Sequence, residues 1–470
     1  MVQTQVVRFN KSTGASGTTQ DVALNFTPKA IIVFSHASAN DASAVATYIN
    51  IIGFSDGTNQ ICQSLSSDDA SAAGDAARVI EGGRVWVKLG SDNPFVKDAH
   101  GTCVFITNGV RFTWTLNDAI ASIITIWAIG GDEISAKVNS EVIGRTTVGS
   151  RDYTGLGFNP SDGHSALFMV AANSNAGGLI IATVIGSFGC ATKTVATDAA
   201  NQWYMGNVSE NLSDPSDTWR VAGNDRCMAV MTTTGGFAHY CYLINWITDG
   251  FRLYWDGPPA SSDIFFQYLV INGGNWDSGT LTTPAVATNN VDKAVSVDSK
   301  TIRGLFTGGV TSQISAAIGT YALYSLGVTD GTTHSVTAAI DEDAQATTDG
   351  YRYSDGTSIY YSMGVDGVVA HRATFDSFGT NNFRLDYPVM GAAHMLHWVV
   401  VADSATAYTR AAADTVTNSD AITSKRKRPI ADSITSSSTL TTKRKRPITQ
   451  TVTVSDALTK IKTFIRTILE

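Results

Sequence analysis

Short runs in which apolar and polar residues alternate, separated by turn residues, recur along most of this chain. The clearest is VRFTW, which contains Arg111 and Phe112 and follows an Asn-Gly pair at 108–109. Alternate side chains of a strand point to opposite faces, so Phe112 and Trp114 should enter a core while Arg111 faces outward. Asn-Gly pairs supply the positive φ angles of tight hairpin turns. The pattern therefore predicts antiparallel β structure.

The same turn and strand occur three times. NGVRFTW around Arg111 is matched by DGFRLYW around Arg252 and by NNFRLDY around Arg384. Each copy is followed by a mostly apolar strand that bears an aromatic residue near its centre: Trp127, Tyr268 or Trp398. Agreement in order, spacing and chemistry predicts three related units.

A second landmark lies nearer the front of the units. GFSDGT at 53–58 reappears as GVTDGT at 327–332, with a looser copy, GSFG, at 186–189. Chain length alone also favours about three domains.

We therefore predict an all-β chain of three tandem antiparallel β-sandwich units and a C-terminal repetitive, β-rich or extended tail. The second unit should include a linker-like stretch at 272–290. The predicted domains are 1–140, 141–300, 301–405 and, for the tail, 406–470.

The composition agrees with a β protein. Charged residues make up 16% of the 470 residues, against an average of about 25%, and Gly, Ser, Thr, Ala and Asn take their place. No apolar run reaches the roughly 18 residues of a membrane-spanning helix, and the first residues resemble no secretory signal. We expect no membrane span and synthesis in a cytoplasm.

The cysteines point to the same compartment. They are Cys62, Cys103, Cys190, Cys227 and Cys241. Their number is odd and their spacing matches no metal site. Buried free thiols made in a reducing compartment are favoured over a disulfide framework.

The end of the chain differs in charge. Residues 410–470 contain 12 lysines and arginines against 5 acidic residues, whereas the preceding residues contain 21 against 36. Three copies of an 18-residue repeat follow one another here, at 414–431, 432–449 and 450–467. Because such a polar segment has too little apolar surface to fold alone, a partner should hold it.

Two basic runs end the first two tail copies. Their members are Lys425, Arg426, Lys427, Arg428, Lys443, Arg444, Lys445 and Arg446. Such runs occur in nucleic-acid patches, but no aromatic residues alternate with them to stack on bases. Regular spacing inside a repeat favours inter-subunit contact or anchoring on an acidic protein surface, with nucleic acid as the less favoured alternative.

Other side chains could bind ligands, and each has a simpler structural interpretation. The three repeated arginines could bind a ligand or form buried ion pairs, or they could lie exposed on a strand face. Five aromatic residues could line a sugar site, although in alternating strands such residues more often form the core. They are Trp114, Trp127, Trp255, Tyr268 and Trp398.

The sequence shows no arrangement typical of catalysis. His394 and His397 should face opposite sides of a strand and so cannot easily share a metal. The acidic triplet 341–343 lacks EF-hand spacing and is expected to be a solvated loop. Phosphate-binding, nucleophile-elbow and zinc-protease motifs are missing. We predict no enzymatic activity and no catalytic, cofactor or metal site, and we assign no ligand-binding residue.

The first unit resembles the H-type lectin family. NFTPK at 25–29 leads into an apolar strand, and the chain then passes through 108–114 to ITIWAIG at 124–130. The second unit keeps FNP at 158–160, and the third matches only in its second half. That family folds as a small antiparallel β-sandwich, usually trimeric, that binds sugars, and related modules occur on phage tail fibres. None of its sugar-contacting residues can be placed here.

These resemblances, together with tail repeats similar to those that end some viral surface proteins, imply a bacteriophage virion protein. It would be a homotrimeric fibre, baseplate, spike or capsid-decoration component with a host-adhesion role on surface glycans. Its expected partners are further copies of itself, other virion proteins and host glycans. The alternative is a soluble carbohydrate-binding lectin, and a weaker one is a glycan-degrading enzyme. The sequence does not choose between head and tail.

Overall fold

Antiparallel strands joined by tight turns make up almost all of the structure, a computed structural model. It describes residues 1–68, 75–90, 95–173, 178–181, 184–194, 201–210, 217–232, 234–258, 263–310, 318–343 and 349–404. These residues form 33 strands and one short 3₁₀ turn, Val365–Gly367. The predicted all-β class is therefore confirmed.

The strands fall into three consecutive sets. The first set is β1 (Gln3–Asn10), β2 (Thr18–Ala23), β3 (Pro28–Ser35), β4 (Val45–Ala46), β5 (Tyr48–Ser55), β6 (Gln60–Ser67), β7 (Ala76–Gly82), β8 (Trp86–Leu89), β9 (Lys97–Ile106), β10 (Gly109–Leu116) and β11 (Ile123–Gly130). The second set is β12 (Ser135–Ile143), β13 (Gly149–Thr154), β14 (Ser165–Asn173), β15 (Gly178–Ile181), β16 (Val184–Ala191), β17 (Gln202–Ser209), β18 (Thr218–Gly223), β19 (Met228–Met231), β20 (Phe237–Ile247), β21 (Gly250–Asp256) and β22 (Ile264–Asn272). The third set is β23 (Asn275–Thr282), β24 (Thr288–Ala294), β25 (Ile302–Gly309), β26 (Gly319–Thr320), β27 (Ala322–Thr329), β28 (His334–Asp341), β29 (Gly350–Asp355), β30 (Ser358–Met363), β31 (Val369–Gly379), β32 (Asn382–Val389) and β33 (Met395–Ala402).

Each set builds one large and one small sheet with the same strand order. In the first set the large sheet runs β1-β11-β3-β5-β6-β7 and the small sheet runs β2-β10-β9-β8. The second set repeats this as β12-β22-β14-β16-β17-β18 and β13-β21-β20-β19. The third gives β23-β33-β25-β27-β28-β29 and β24-β32-β31-β30. Every strand therefore has a counterpart in the other two sets.

The repeated turns have the backbone geometry that their sequence requires. Asn108, Asp249 and Asn381 have φ angles of 53°, 58° and 57°, in the left-handed region that Asn and Asp tolerate better than most residues. The strand that follows each turn alternates between buried and more exposed positions. Turn and strand thus form as the local sequence predicts.

In each set the two sheets pack face to face as a β-sandwich. In the first set Ile31 and Val33 of the large sheet share one buried cluster with Phe112 and Trp114 of the small sheet. The second and third sets have corresponding clusters. At one point the sheets approach so closely that a Cβ on Gly53 would collide with the carbonyl oxygen of Val85.

The large sheets are also covered on their other faces, where the three sets meet. Ile32 and Phe34 of β3 point away from their own sandwich into a cluster that includes Phe168 of β14 and Phe306 of β25. The Phe306 ring centroid lies 5.9 Å from that of Phe34 and 6.3 Å from that of Phe168. Burial on both faces explains why β3, β14 and β25 are nearly free of charged residues.

A short strand from each set completes the large sheet of another. β15 pairs with β7, β26 pairs with β18, and β4 of the first set pairs with β29 of the third. The exchange therefore closes in a ring. Residues 1–405 form one compact unit, rather than three separate domains in tandem.

An arginine lies beside each exchanged strand. Arg78 and Arg220 are buried, and Arg352 is half-buried. Arg78, Arg220 and Arg352 occupy the same position in β7, β18 and β29, and burial lowers the pKa of each to about 10. Arg220 donates to the carbonyl oxygens of Thr320 and Tyr321, the second at 3.1 Å. Our sequence analysis missed these residues.

The predicted boundaries at 140 and 300 do not coincide with the strand sets. Residue 140 lies inside β12, the first strand of the second set. The third set begins with β23 and β24, both before residue 300. The stretch at 272–290 is not a linker, because it contains β23, which pairs along its length with β33.

Two predicted correspondences are also out of register. Trp127 belongs to the cluster shared by the three sets, whereas Tyr268 and Trp398 lie inside their own sandwiches. A shift of one residue along a strand exchanges its faces, so these aromatic residues are not equivalent. Likewise, Gly189 rather than Gly186 is the counterpart of Gly53. A Cβ on Gly189 would collide with the carbonyl oxygen of Cys227, as a Cβ on Gly53 would with that of Val85.

Candidate functional site

The predicted anchoring residues belong to the tail. Lys425, Arg426, Lys427, Arg428, Lys443, Arg444, Lys445 and Arg446 lie outside the described residues. Their role in inter-subunit contact or anchoring stays a prediction.

The repeated arginines form three equivalent ion pairs on the outer faces of the small sheets. In each pair the arginine donates from Nε and Nη2 to both carboxylate oxygens of the aspartate opposite it. The Nη2–Oδ2 distances are 2.8 Å for Arg111–Asp21, 2.8 Å for Arg252–Asp152 and 3.1 Å for Arg384–Asp292. The arginine side chains are 47%, 37% and 38% exposed, so the exposed-face interpretation is correct and the buried ion pair is not.

Each arginine holds the pKa of its aspartate below the ordinary value of 3.8, mainly through the hydrogen bond. Exposed pairs of this kind contribute little to stability because water and salt screen them. We interpret them as a shared feature of the three small sheets rather than as a site.

The five candidate sugar-lining aromatic residues are buried in the core, as expected. The exposed fractions of Trp114, Trp127, Trp255, Tyr268 and Trp398 are between 0% and 3%. They cannot contact a ligand without unfolding of the sandwich.

The two neighbouring histidines are also core residues, and they lie on opposite sides of the sheet as predicted. The His397 ring stacks on Trp203 in the shared cluster, with centroids 5.2 Å apart. The His394 ring stacks on Tyr360 on the sandwich side. Burial lowers the pKa of both imidazoles to about 3.

The acidic triplet at 341–343 is not the solvated loop that we expected. Asp341 is 1% exposed and Glu342 is 3% exposed. Asp341 accepts a hydrogen bond from Ser209 at 2.5 Å, and Asp343 accepts one from the Thr218 amide at 3.0 Å. The triplet therefore joins the third set of strands to the second.

The five cysteines are buried free thiols, as the sequence predicts. The closest pair is Cys227 and Cys241, with the two sulfur atoms 3.8 Å apart. Burial raises the pKa of the Cys103 thiol to about 12 and also raises that of Cys241. The Cys103 and Cys241 thiols are therefore protonated and poorly nucleophilic.

One shallow groove lies where the β5–β6 turn meets β12. It has a volume of about 230 Å³, below the range of about 300–1,000 Å³ that is usual for small-molecule pockets. It is lined largely by polar residues of the turn and by Asn139 and Ser140. We do not interpret it as the main ligand site.

The outer face of the second small sheet differs from the rest of the surface described. Tyr242 of β20 lies directly opposite Tyr254 of β21, and their rings stack with centroids 5.2 Å apart. Tyr240, two residues along β20, lies opposite Asp256. All three tyrosines are half-buried, whereas the residues between them are buried. We call Tyr240, Tyr242 and Tyr254 the tyrosine face.

Arg226 extends the tyrosine face at one end. Its guanidinium carbon lies 3.9 Å from the ring centroid of Tyr240 and 4.7 Å from that of Phe237. It also donates to the Tyr204 hydroxyl at 3.1 Å and forms an ion pair with Asp225. These contacts fix the Tyr240 ring against a planar cation.

The positions that correspond to Tyr242 and Tyr254 in the other two small sheets carry no aromatic residue. Relative to the shared arginine, Tyr242 and Tyr254 match the pair Thr102–Thr113 in the first set. In the third set they match the pair Thr374–Asp386. The sandwich therefore folds without aromatic residues at these positions, which makes the tyrosine face the candidate binding surface.

Sequence reasoning missed this face because the five aromatic residues that it weighed as sugar-lining candidates are all core residues. The alternation in HYCYLI at 239–244 was a usable signal, since it places Tyr240 and Tyr242 on one side of a strand.

Searches of protein-family models, curated proteins and solved structures found no match to this chain. In the part of the chain that the structure describes, no helix is long and apolar enough to cross a membrane. Within the same ranges, histidine, cysteine and acidic residues form no group of three or more that could hold a metal ion.

Proposed function

We propose that this protein is a structural component of a bacteriophage particle, a fibre, spike or decoration protein that is exposed to the host surface. The observation that carries the proposal is the closed exchange of strands among three sandwiches within one chain. A free edge strand pairs readily with other chains, and here one edge of each large sheet is covered by a strand of another set. Covering these edges reduces uncontrolled edge-to-edge pairing when the body is displayed in many copies.

The distribution of charge supports the same proposal. The acidic body would face outward, and the basic tail, through Lys425–Arg428 and Lys443–Arg446, would anchor it to an acidic protein surface of the particle. The resemblance of the first unit to sugar-binding sandwiches favours a host-surface glycan as an external partner. A homotrimer stays a prediction, and native mass spectrometry tests it.

Co-sedimentation tests the proposal. A lysate of the producing cells is separated on a density gradient, and particles and free protein are detected by mass spectrometry. The full chain should sediment with particles, and a chain that ends at residue 409 should stay with the soluble protein. A full chain found only in the soluble fraction would overturn the virion assignment.

A soluble lectin is the second candidate, and the tyrosine face is the observation that favours it. A lectin would bind glycans and remain soluble with or without its tail. The same gradient therefore separates the two proposals.

A further inference from the structure

The other two sandwiches fold without aromatic residues at the positions of Tyr242 and Tyr254. At the equivalent positions the first set carries Thr102 and Thr113, and the third carries Thr374 and Asp386. The rings of Tyr242 and Tyr254 remain partly exposed even though they stack on each other. Exposed aromatic surface that contributes little to a core indicates an interaction surface.

The groups around the tyrosine face restrict the class of ligand. Arg226 is paired with Asp225, and Arg252 is paired with Asp152 through both carboxylate oxygens. Asp256 adds a further carboxylate beside Tyr240. A phosphate backbone needs a positive groove, and here the positive charges already have carboxylate partners.

We infer that the tyrosine face binds an uncharged sugar ring of a surface polysaccharide. This inference rests on the proposed role at the host surface and names its contact residues. One side of a pyranose ring presents C–H groups, which pack on the electron-rich face of an aromatic ring. The tyrosine hydroxyls, the Asp256 carboxylate and the Arg226 guanidinium offer donors and acceptors to the sugar hydroxyls around it.

The hydroxyls of Tyr240 and Tyr242 stay protonated over the physiological range. Partial burial raises the pKa of both groups, and the Asp256 carboxylate adds to both shifts. Each of these two hydroxyls can therefore donate as well as accept a hydrogen bond. Because the face occurs in only one of the three sandwiches, each chain should bind one such ring.

Saturation-transfer NMR of the full chain tests the inference. The probes are methyl pyranosides of glucose, galactose, mannose and their N-acetylated amino sugars, with N-acetylneuraminic acid and a thymidine oligonucleotide as charged comparisons. At least one uncharged pyranoside should receive saturation, and the charged compounds should not. Binding of the oligonucleotide alone, or of no pyranoside, would overturn the inference.

Matched variants locate the site. Tyr242→Thr with Tyr254→Thr installs the pair of the first set, and should weaken binding by about tenfold or more through loss of the aromatic contacts. Thr102→Ser with Thr113→Ser on the first small sheet is the control and should bind as the parent does. Unchanged affinity in the tyrosine double variant, with its thermal melt preserved, would contradict the assignment.

Two further measurements distinguish failure of the sugar-binding inference from failure of the virion proposal. Tyr242→Phe with Tyr254→Phe retains the rings, so it should fold and keep most of the affinity even if the threonine variant does not fold. The threonine variant should still sediment with particles, because the tail is proposed as the anchor. Loss of sugar binding with normal sedimentation would support both proposals, whereas sugar binding by a chain that never sediments would remove only the virion assignment.

Discussion

The Asp330 carboxylate accepts a hydrogen bond from the backbone amide of Val6, with Oδ2 and N 2.8 Å apart, and so joins the third set of strands to the first. Its other oxygen accepts from the amides of Thr332 and Thr333 and closes the turn after β27. Asp56 makes the same three contacts, with Val138 as its partner in the second set. The repeated Asp-Gly-Thr motif therefore links neighbouring sandwiches as well as forming a turn.

Replacement of Asp330 by alanine should lower the free energy of unfolding by about 2–3 kcal/mol, because hydrogen bonds to charged groups are among the stronger ones. Urea unfolding of residues 1–409 measures the effect. Asp132→Ala, in an exposed turn, is the control and should change little. Equal stability of the two variants would show that the contact to Val6 does not hold the sets together.

Truncation of Phe112 to alanine should cost about 3–5 kcal/mol, because it leaves a cavity in a fully buried cluster. Phe112 is 0% exposed, and its ring stacks on Trp114. Val104→Ala on the outer face of the same sheet, where the valine is 51% exposed, provides the comparison. A melt of Phe112→Ala that coincides with the parent would refute the facing of β10.

The stability of the body should fall as the pH drops from about 6.5 toward 3, in part through His397. Burial lowers the pKa of this imidazole from 6.5 to about 3. Protonation therefore favours the unfolded chain, and the stabilisation present above pH 6.5 is lost progressively across this window. The measurement is urea unfolding as a function of pH.

The His397→Phe variant keeps an aromatic ring against Trp203 but cannot be protonated. Its stability should decline less steeply between pH 6.5 and 3 than that of the parent. His164→Gln, at a partly exposed ring, serves as the control. If His397→Phe and the parent lose stability in parallel, the buried imidazole is not a source of the acid sensitivity.

The five thiols should not react with a disulfide reagent such as DTNB in the native protein and should all react after denaturation. Burial protects them sterically, and the raised pKa of Cys103, about 12, leaves almost no thiolate at neutral pH. Absorbance of the released thiolate counts the reactive groups. Rapid reaction of one thiol before unfolding would show that its strand opens locally.

Replacement of the four residues Lys425–Arg428 and the four residues Lys443–Arg446 by glutamine should reduce sedimentation with particles and leave the melt of the body unchanged. A high salt concentration should likewise reduce sedimentation of the parent chain with particles, since salt screens charged contacts. A log-linear loss of binding to purified genomic nucleic acid with rising salt would instead favour contact with the genome. Particle association of the glutamine variant equal to that of the parent would contradict a role for the basic runs.

The class of the fold and the repeated turns followed from local sequence alone. Asn108, Asp249 and Asn381 take up a positive φ because of their own side chains, and the alternation after each turn sets one face of the strand. Both effects depend on neighbouring residues only. The tyrosine face also lay within reach of this reasoning, since Tyr240 and Tyr242 alternate with buried residues.

The spacing of the arginines beside the exchanged strands shows what a stricter comparison of the repeats could have found. Arg78, Arg220 and Arg352 are separated by 142 and 132 residues, and the exposed arginines, from Arg111 onward, by 141 and 132. Intervals that agree to within one residue mark both sets as members of one repeat. Sequence comparison could therefore have located them, although not their burial.

Only the tertiary structure decided which way β11, β22 and β33 face and how the three sets combine. These strands are apolar on both sides, so alternation could not tell that Trp127 enters the shared cluster while Tyr268 enters its own sandwich. The pairing of β4 with β29 joins residues about 300 positions apart in sequence. Such a pairing leaves no local sequence pattern, because the distant partner strand, rather than the neighbouring residues, fixes the conformation of β4.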